Sequence, residues 1–343
     1  MSKKSKKAFS LFSILIAVVI LSRCSATTGN KAIAYKEPVT NPDFHVDIYV
    51  SNKAWNGTTL LADNHRRGRP RIIEVDMHGR IIWEYALPVN MRQYNNPGFD
   101  VELLPSNNVL FVLPGKGIYE INRKGEIVWS HLDRKVSHDA DRLANGNTLY
   151  VYGYEDKKNE AQVKEVSPSG KIVWAWYAKA EFDKPPYNSI YNQGWTHTNA
   201  VTRMANGNTL ISPRNFNRLI EVDPKGNVVH VIGEEYLEHQ HDPEILPNGN
   251  MLLANHKKPH EILEIDTTTE AIVWRFAIPK RRIWPVRDAD RLPNGNILIT
   301  AATALIEITP DKEIVWRLTL QNVHFRSRKE APALGFYKSR RTR

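Results

Sequence analysis

Residues 139–177 read DADRLANGNTLYVYGYEDKKNEAQVKEVSPSGKIVWAWY, and this stretch holds one complete unit of an internal repeat. Apolar and polar residues alternate in four short segments, 139–143, 147–153, 162–167 and 171–177, and this period of two is typical of β-strands. Asn145-Gly146-Asn147 joins the first two segments. Asn-Gly between alternating segments predicts a hairpin whose central turn positions both have positive φ. The last segment contains Trp174.

The same two features recur along the chain. The Asn-Gly-Asn turn returns at 206–208, 248–250 and 294–296, with weaker copies at 56–58 and 106–108, and the strand ending in tryptophan returns at 81–83, 127–129, 272–274 and 314–316. The turns are about 48 residues apart, which is the length of a four-stranded propeller blade. The sequence therefore predicts an all-β, six-bladed β-propeller with four-stranded blades over residues 46–320. In each blade the strand before the turn is innermost and the tryptophan strand outermost.

The charge and the cysteine content exclude several classes of protein. The 343-residue chain has a net charge of +10, but residues 1–30 carry +5 and residues 321–343 carry +6, which leaves −1 for residues 31–320. A nearly neutral body is not a nucleic-acid-binding surface. A single cysteine excludes an intramolecular disulfide framework and a cysteine-based zinc module.

Both ends of the chain are predicted to lie outside the propeller. Lysines within residues 3–7 precede an apolar run at 8–21, which as a helix is about 21 Å long and shorter than the ~30 Å membrane core. Residues 1–24 are therefore interpreted as a signal peptide, with an uncleaved membrane anchor or lipidation of Cys24 as alternatives. The body would then be periplasmic, or anchored and facing the periplasm. Residues 25–45 are expected to form a linker and residues 321–343 a basic, solvated tail, whereas the oligomeric state is left open.

One position in each blade is predicted to line the central channel. It lies seven residues ahead of the turn and is occupied by Phe99, His138, Asn199, His241 and Arg287, with Tyr49 in the first blade. His197 and His239 stand two residues earlier in two blades. Polar groups that differ between blades and converge on one axis indicate a binding or catalytic site. The aspartates that follow several of these residues recur, and they are interpreted as structural hydrogen-bonding groups.

Two long loops should open on the same face as this ring. Residues 179–195 contain Tyr187, Tyr191 and Trp195, and residues 278–287 contain Trp284 among basic side chains. Aromatic walls beside cationic groups suit a ligand with a flat apolar part and an anionic part. The alternative is that these aromatic side chains pack against neighbouring blades.

Several of these motifs together resemble the bacterial aryl-sulfate sulfotransferases. They are Trp-Thr-His-Thr-Asn at 195–199, Ser-His-Asp at 137–139, Gln-His at 240–241 and the repeated turns, and the resemblance covers most of residues 46–320. It implies a periplasmic propeller that moves a sulfuryl group from an aryl sulfate to a phenolic acceptor without a cofactor. It also implies His241 as the nucleophile, and the sulfate-holding residues His138, His197, Asn199 and Arg214. Arg287 stands where the family has a lysine, and the family's additional N-terminal β-sandwich has no counterpart in the short stretch 22–45.

The chemistry of these side chains fits such a transfer, although two other functions stay open. Sulfuryl transfer resembles phosphoryl transfer, in which positioning and charge stabilisation dominate. A neutral imidazole can carry the group covalently, while His138 or His197 acts as general acid and base. One alternative is a metal-dependent lyase or hydrolase that uses His138, His197 and His241, although Arg287 would repel the ion. The other is a propeller that binds an anionic ligand without catalysis.

Overall fold

A computed structural model describes residues 31–94, 99–278, 285–321 and 334–342 of the chain. It contains six antiparallel sheets in the order of the repeat, which confirms the predicted six-bladed propeller with four strands in each blade. From the innermost strand outward, blade 2 consists of Val101–Leu103, Val109–Leu113, Gly117–Ile121 and Ile127–His131; blade 3 of Ser137–Arg142, Thr148–Val151, Val163–Val166 and Ile172–Trp176; blade 4 of Thr198–Arg203, Thr209–Pro213, Leu219–Val222 and Val228–Ile232; and blade 5 of His241–Ile245, Met251–Asn255, Glu261–Ile265 and Ile272–Ala277.

The Asn-Gly-Asn turns form tight hairpins in which only the glycine has positive φ. The value at Gly146 is 84°, its N–H donates to Leu143 O at 2.9 Å, and Leu143 N–H donates to Asn147 O at 2.8 Å. The expectation of positive φ at both central positions was therefore wrong. The asparagines are used for hydrogen bonds instead, because Asn147 N–H donates to Asn145 Oδ1 at 2.9 Å and Asn147 Nδ2 donates to Glu165 at 2.6 Å.

The repeated tryptophan joins each blade to the next. Its indole N–H donates to a backbone carbonyl in the outer turn of the following blade. The pairs are Trp83 with Arg123 O at 2.9 Å, Trp129 with Pro168 O at 2.9 Å, Trp174 with Pro224 O at 3.1 Å, Trp274 with Pro310 O at 2.8 Å and Trp316 with Met77 O at 2.8 Å. This bond explains why tryptophan recurs at the same place in five blades.

The first and the last strands that the structure describes close the propeller, and here the structure differs from the sequence interpretation. The innermost strand of blade 1 is Phe336–Thr342, which pairs with Thr58–Asp63 and is followed outward by Arg71–Val75, Ile81–Ala86 and Ile33–Val39. Blade 6 consists of Val286–Arg291, Ile297–Ala301, Ala304–Ile308 and Ile314–Leu320, with Phe44–Tyr49 added at its outer edge.

Three expectations change as a result. Residues 336–342 belong to the core of the propeller rather than to a solvated tail, and within the expected linker 25–45 seven residues form the strand Ile33–Val39. Tyr49 pairs with Trp316 in the outermost strand of blade 6, so it cannot line the channel. The residue of blade 1 in the ring is Tyr337, because it stands at the same place in the innermost strand.

The remaining elements are short and lie in the connections. They are the helix Lys179–Phe182 and the 3-10 helices Val89–Tyr94, Tyr187–Ser189 and Arg214–Phe216. Apolar side chains are buried between adjacent blades, as in the cluster that Leu149 and Val163 of blade 3 form with Val201 and Ile211 of blade 4. Within the described ranges no helix is long and apolar enough to cross a membrane. The predicted signal or anchor segment 1–24 lies outside these ranges.

Candidate active site

The channel-lining residues stand at irregularities in the innermost strands. The pairing register shifts between Ser137 and Ala140, Thr198 and Ala200, His241 and Glu244, Val286 and Asp288, and Phe336 and Ser339. A bulge of this kind re-aims a side chain and is frequent beside active sites. His138, His197 and His239 have φ of 58°, 48° and 47°, a region that residues other than glycine rarely occupy. Such backbone strain clusters at functional sites because the surroundings must hold it.

The structure brings together the imidazoles that the sequence placed on different blades. The ring centroids of His138 in blade 3 and His197, which directly precedes blade 4, are 4.9 Å apart. Those of His241 and His256, both in blade 5, are 4.6 Å apart, and His138 lies close enough to His241 to lower its pKa. Arg214 Nη2 lies 3.2 Å from His239 Nδ1. We refer to His138, His197, Arg214, His241 and Arg287 together as the axial site. His239 and His256 extend it, although neither was predicted to have a role.

All of these imidazoles are held in the neutral form. Burial lowers the pKa of His138 and of His241 well below the usual value, and neighbouring imidazoles together with Arg214 and Arg287 lower both further. Burial and Arg214 lower the pKa of His197 to about 3 and that of His239 to about 4. Burial lowers the pKa of His256 to about 3. A neutral imidazole keeps a lone pair on one ring nitrogen, so each of these side chains can accept a hydrogen bond or act as a nucleophile.

Hydrogen bonds assign different tautomers to His138 and His197. His197 Nδ1 lies 3.1 Å from the carbonyl of Asn192, which can only accept, so Nδ1 carries the proton and Nε2 keeps its lone pair. His138 Nδ1 lies 3.0 Å from Ser137 Oγ, which accepts the backbone N–H groups of residues 153 and 154 at 3.0 and 3.3 Å. The Ser137 hydroxyl proton is then left for His138 Nδ1, so that His138 presents Nε2–H as a donor and His197 presents Nε2 as an acceptor.

Two arginines supply the positive charge. Arg214 begins the 3-10 helix that follows the second strand of blade 4, and it donates to Asn215 Oδ1 at 3.1 Å. Among the described residues, no carboxylate contributes to its pKa. Arg287 is buried, donates to Phe336 O at 2.8 Å and lies 5.0 Å from the Tyr337 ring centroid. Burial lowers the pKa of each guanidinium to about 10, so both are charged at neutral pH. A buried guanidinium with this arrangement is suited to bind an oxyanion.

Asn199, which was expected to hold a sulfate group, is hydrogen-bonded to other groups of the protein. Its Oδ1 accepts the Ser212 hydroxyl at 2.8 Å and its Nδ2 donates to Gln240 O at 2.8 Å. Gln240 immediately precedes His241. The side-chain amide of Gln240 is held as well, because its Nε2 donates to Arg218 O at 2.7 Å. Asn199 therefore fixes the backbone segment that carries His241.

The aromatic residues expected to line the mouth are placed differently. Tyr187 and Trp195 are buried in the cluster between blades 3 and 4, where Trp195 Nε1 donates to Tyr187 O at 2.8 Å and both rings contact Phe216. They pack against neighbouring elements, which is the alternative that the sequence left open. Tyr191 is 70% exposed, and Trp284 lies outside the described residues. Tyr337 is instead the aromatic side chain beside the histidines, 6.5 Å from His138 between ring centroids. Phe99, which was expected to line the channel, is buried in the apolar cluster between blades 1 and 2 and contacts Phe111.

Tyr337 was missed because it lies 17 residues beyond Leu320, where the predicted propeller ends. The sequence contained one sign that Tyr49 was not the ring residue of blade 1, because Tyr49 is followed by Val50 and not by an aspartate. In the part of the chain that the structure describes, no three His, Cys, Asp or Glu side chains are grouped as a metal ion requires.

The geometry defines a six-bladed propeller with a cationic, imidazole-rich site on its axis, and comparisons with known proteins agree with this class. The family model described as Arylsulfotransferase (ASST) matches residues 36–237, so the chain belongs to the arylsulfotransferase family. This confirms the resemblance seen in the motifs. Membership supports a sulfotransferase function in general, with small aryl sulfates and phenols as the implied substrates.

Solved structures share the fold at low sequence identity. A protein of unknown function from Bacteroides caccae is 18% identical with a TM-score of 0.57, over 79% of this chain and 96% of that one. A streptogramin B lyase is 14% identical with a TM-score of 0.51, over 81% and 88%. An inactive virginiamycin B lyase from Staphylococcus aureus with quinupristin is 13% identical with a TM-score of 0.51, over 81% and 100%. No curated protein matches the chain.

Proposed function

We propose that this chain transfers a sulfuryl group from an aryl sulfate to a phenolic acceptor through a covalent sulfohistidine on His241. The observation that carries the proposal is the convergence of neutral imidazoles with Arg214 and Arg287 on one axial site. The arginines match the charge and the tetrahedral oxygens of a sulfate ester. A neutral imidazole beside them is a nucleophile that needs no prior deprotonation.

The transfer would proceed in two balanced half-reactions. In the first, a ring nitrogen of His241 forms a bond to sulfur while the sulfur–oxygen bond to the aryl group breaks and a phenolate leaves. In the second, the acceptor phenol loses its proton, its oxygen forms a bond to sulfur and the nitrogen–sulfur bond breaks. The transition state of each half-reaction is loose, so binding of the equatorial oxygens by Arg214 and Arg287 supplies most of the stabilisation.

The tautomers suit His197 to act as a proton acceptor and His138 to act as a hydrogen-bond donor. His197 Nε2 has a lone pair and takes the proton of the acceptor phenol. The negative charge of the bound sulfuryl group raises the pKa of His197 from its low value in the empty site, which makes this step favourable. When the sulfated product leaves, His197 returns to its low pKa and releases this proton to solvent, which balances the phenolate released in the first half-reaction. His138 Nε2–H donates a hydrogen bond to the sulfuryl or phenol oxygen.

The test is turnover of 4-nitrophenyl sulfate with a phenol acceptor by the purified protein. We expect release of 4-nitrophenolate and formation of the acceptor sulfate, and a loss of about 10³-fold or more in His241→Ala. His230→Ala is the matched control, because His230 lies on the outermost strand of blade 4 and bonds Glu270 at 3.1 Å. The absence of turnover by the wild type, or equal turnover by His241→Ala, contradicts the proposal. Binding of the aryl sulfate without turnover would instead indicate the non-catalytic propeller.

The covalent intermediate is a separate measurement. The protein is treated with donor alone, digested at alkaline pH because nitrogen–sulfur bonds hydrolyse in acid, and analysed by mass spectrometry. We expect the mass of one sulfuryl group on the peptide that contains His241. Turnover without this modification would indicate direct transfer between the two substrates.

We also propose that the protein is exported to the periplasm, either free or held at the membrane by its N-terminal segment. The support is the sequence of residues 1–24, in which lysines precede the apolar run. Fractionation of cells and determination of the mature N-terminus test this. Recovery of the full chain from the cytoplasm contradicts it, and a retained segment 1–24 in the membrane fraction identifies an anchor.

A further inference from the structure

A second layer of charged side chains lies directly beneath the ring. It is formed by the residue that follows the ring position in five of the six blades, namely Asp100, Asp139, Asp242, Asp288 and Lys338, whereas Ala200 stands there in blade 4. Lys338 comes from the innermost strand of blade 1, the last strand in the chain. Its Nζ lies 3.2 Å from Asp100 Oδ1, 2.9 Å from Asp139 Oδ1 and 3.1 Å from Asp242 Oδ1. One buried ammonium group on the axis therefore joins four blades.

The aspartates also bind the backbone of the following blade. Asp100 Oδ2 accepts Ala140 N–H at 3.2 Å, and Asp139 Oδ2 accepts Val201 N–H at 2.7 Å. This confirms, for these two residues, the interpretation of the recurring aspartates as structural hydrogen-bonding groups. Each carboxylate uses one oxygen for the backbone and the other for Lys338, so the lysine is a contact that the sequence interpretation did not include.

We propose that Lys338 is a positioning residue that sets the places of His138 and His241 in the axial site. Asp139 and Asp242, which it binds, each directly follow one of these histidines, so their Cα atoms are only about 3.8 Å from those of the histidines. The backbone here is strained, since φ is 58° at His138 and 47° at Asp242. Strained conformations persist only where surrounding contacts determine them, and the bonds to Lys338 are such contacts.

The proposal rests on the proposed function, because it assigns the lysine to the geometry of the nucleophile and of its neighbouring imidazole. A shift of about 1 Å in a reacting group can lower a rate by about 10²-fold. Loss of the contact between Lys338 and Asp139 or Asp242 should therefore lower kcat while KM changes little. The binding of substrate by the arginines, which stand on other segments, is left intact.

Three substitutions of the same kind separate positioning from a general loss of stability. In Asp139→Asn, Asp242→Asn and Asp100→Asn the side-chain size is kept. An amide has only one acceptor oxygen. Where that oxygen still accepts the backbone N–H, the NH₂ group of the asparagine faces the ammonium group of Lys338, and the two groups of donors repel each other. Asp100→Asn is the matched control, because Asp100 binds the same lysine but follows Phe99 and neither histidine. Burial raises the pKa of Asp139 to about 7 and Lys338 opposes the rise, so the assays are run at pH 8, where Asp139 is ionised.

Kinetics and histidine NMR spectra are recorded for the folded fraction of each variant. We expect kcat for 4-nitrophenyl sulfate to fall about 10- to 100-fold in Asp139→Asn and in Asp242→Asn, and less than threefold in Asp100→Asn. The imidazole ¹⁵N signals should shift for His138 in the first variant, for His241 in the second and for neither in the third. Equal kcat in all three variants, or equal losses that follow the melting temperature, overturns the proposal.

The design also distinguishes failure of the proposal from failure of the proposed function. If the wild type does not turn over aryl sulfates but the imidazole signals shift as expected, the lysine positions the histidines and the assigned chemistry is wrong. If the wild type is active and the signals of His138 and His241 stay unchanged in the variants, Lys338 only holds the blades together. Lys338→Met is not needed for either conclusion, since it leaves three buried carboxylates without a cation and can prevent folding.

Discussion

Arg341 should be one of the side chains on which the closure of the propeller depends most. Its Nη1 lies 3.1 Å from Glu307 Oε2 and 2.8 Å from Trp55 O, and its Nε donates to Thr59 Oγ1 at 2.6 Å. The side chains of Arg341 and Glu307 are both fully buried. The pair joins the last strand of the chain to the third strand of blade 6, across the point where the ring of blades closes.

The substitution Arg341→Met should lower the free energy of unfolding mainly because it leaves the buried carboxylate of Glu307 without a cation. Methionine keeps an apolar chain against Trp316, over whose ring the guanidinium lies at 4.4 Å, so little packing is lost. Glu307 keeps the N–H donors of Trp55 at 2.6 Å and Asn296 at 2.7 Å but loses its cation. Breaking a buried ion pair from one side costs about 3–5 kcal/mol of unfolding free energy. The double variant Arg341→Met/Glu307→Gln removes the stranded charge and should recover all but about 1–2 kcal/mol.

Urea unfolding followed by tryptophan fluorescence and circular dichroism measures these differences. Arg67→Met is the control, because Arg67 is exposed and its substitution should change stability by no more than about 0.5 kcal/mol. A cost below about 1 kcal/mol for Arg341→Met would mean that residues 336–342 behave as a solvated tail. A double variant as unstable as the single one would mean that the charge of Glu307 is not the cause.

Three further predictions follow from the contacts in the site and the channel. Ser137→Ala removes the hydroxyl that fixes the tautomer of His138, so kcat should fall about tenfold or more and ¹⁵N spectra should show mixed tautomers. Burial raises the pKa of Glu102 to about 7 from an ordinary 4.5, so the folded wild type loses stability as the pH rises from about 4.5 to 7. Glu102→Gln should then raise the melting temperature at pH 8 and have no effect near pH 4. Trp195→Ala should lower the free energy of unfolding by about 3–5 kcal/mol without changing KM, as measured by denaturant titration and kinetics.

The blades and most of the axial site were predictable because both depend on local pattern. Each hairpin is specified by a glycine such as Gly146 and each blade contact by a tryptophan such as Trp174. A propeller aligns its units around an axis, so a fixed offset from the turn brings His138 and His241 together although they are about 100 residues apart in sequence. No tertiary information beyond the repeat was needed for that step.

The closing strand could not be predicted in the same way. Lys338, Arg340 and Arg341 look like a solvated basic run because their partners are acids from other blades, among them Asp139, Asp290 and Glu307. Nothing local in the sequence links these groups. The same limit applies to Trp195, whose burial depends on the fold of its own loop around the helix Lys179–Phe182.

The arrangement of charge along the channel explains how an anion site can exist directly above a layer of carboxylates. Unpaired acids next to His138 would raise its pKa and compete with an anionic ligand for the arginines. The described groups that shift the pKa of His138 are instead His197, Arg214 and Arg287, none of them a carboxylate. Lys338 neutralises part of the charge of the carboxylates, because its Nζ contacts one oxygen each of Asp100, Asp139 and Asp242.

A third layer repeats the arrangement further along the axis. Glu102, Asp141, Glu244 and Asp290 line a cavity of about 1140 Å³ at the opposite end of the channel, and Arg340 pairs with Asp290 there. The last strand thus contributes Tyr337, Lys338 and Arg340 to three successive layers. Lys338 and Arg340 offset part of the negative charge of these acids. The positive field of Arg214 and Arg287 therefore remains available at the ring. On this argument the closing strand does more than complete blade 1, since it keeps the acidic part of the channel from cancelling the part that would bind a sulfate ester.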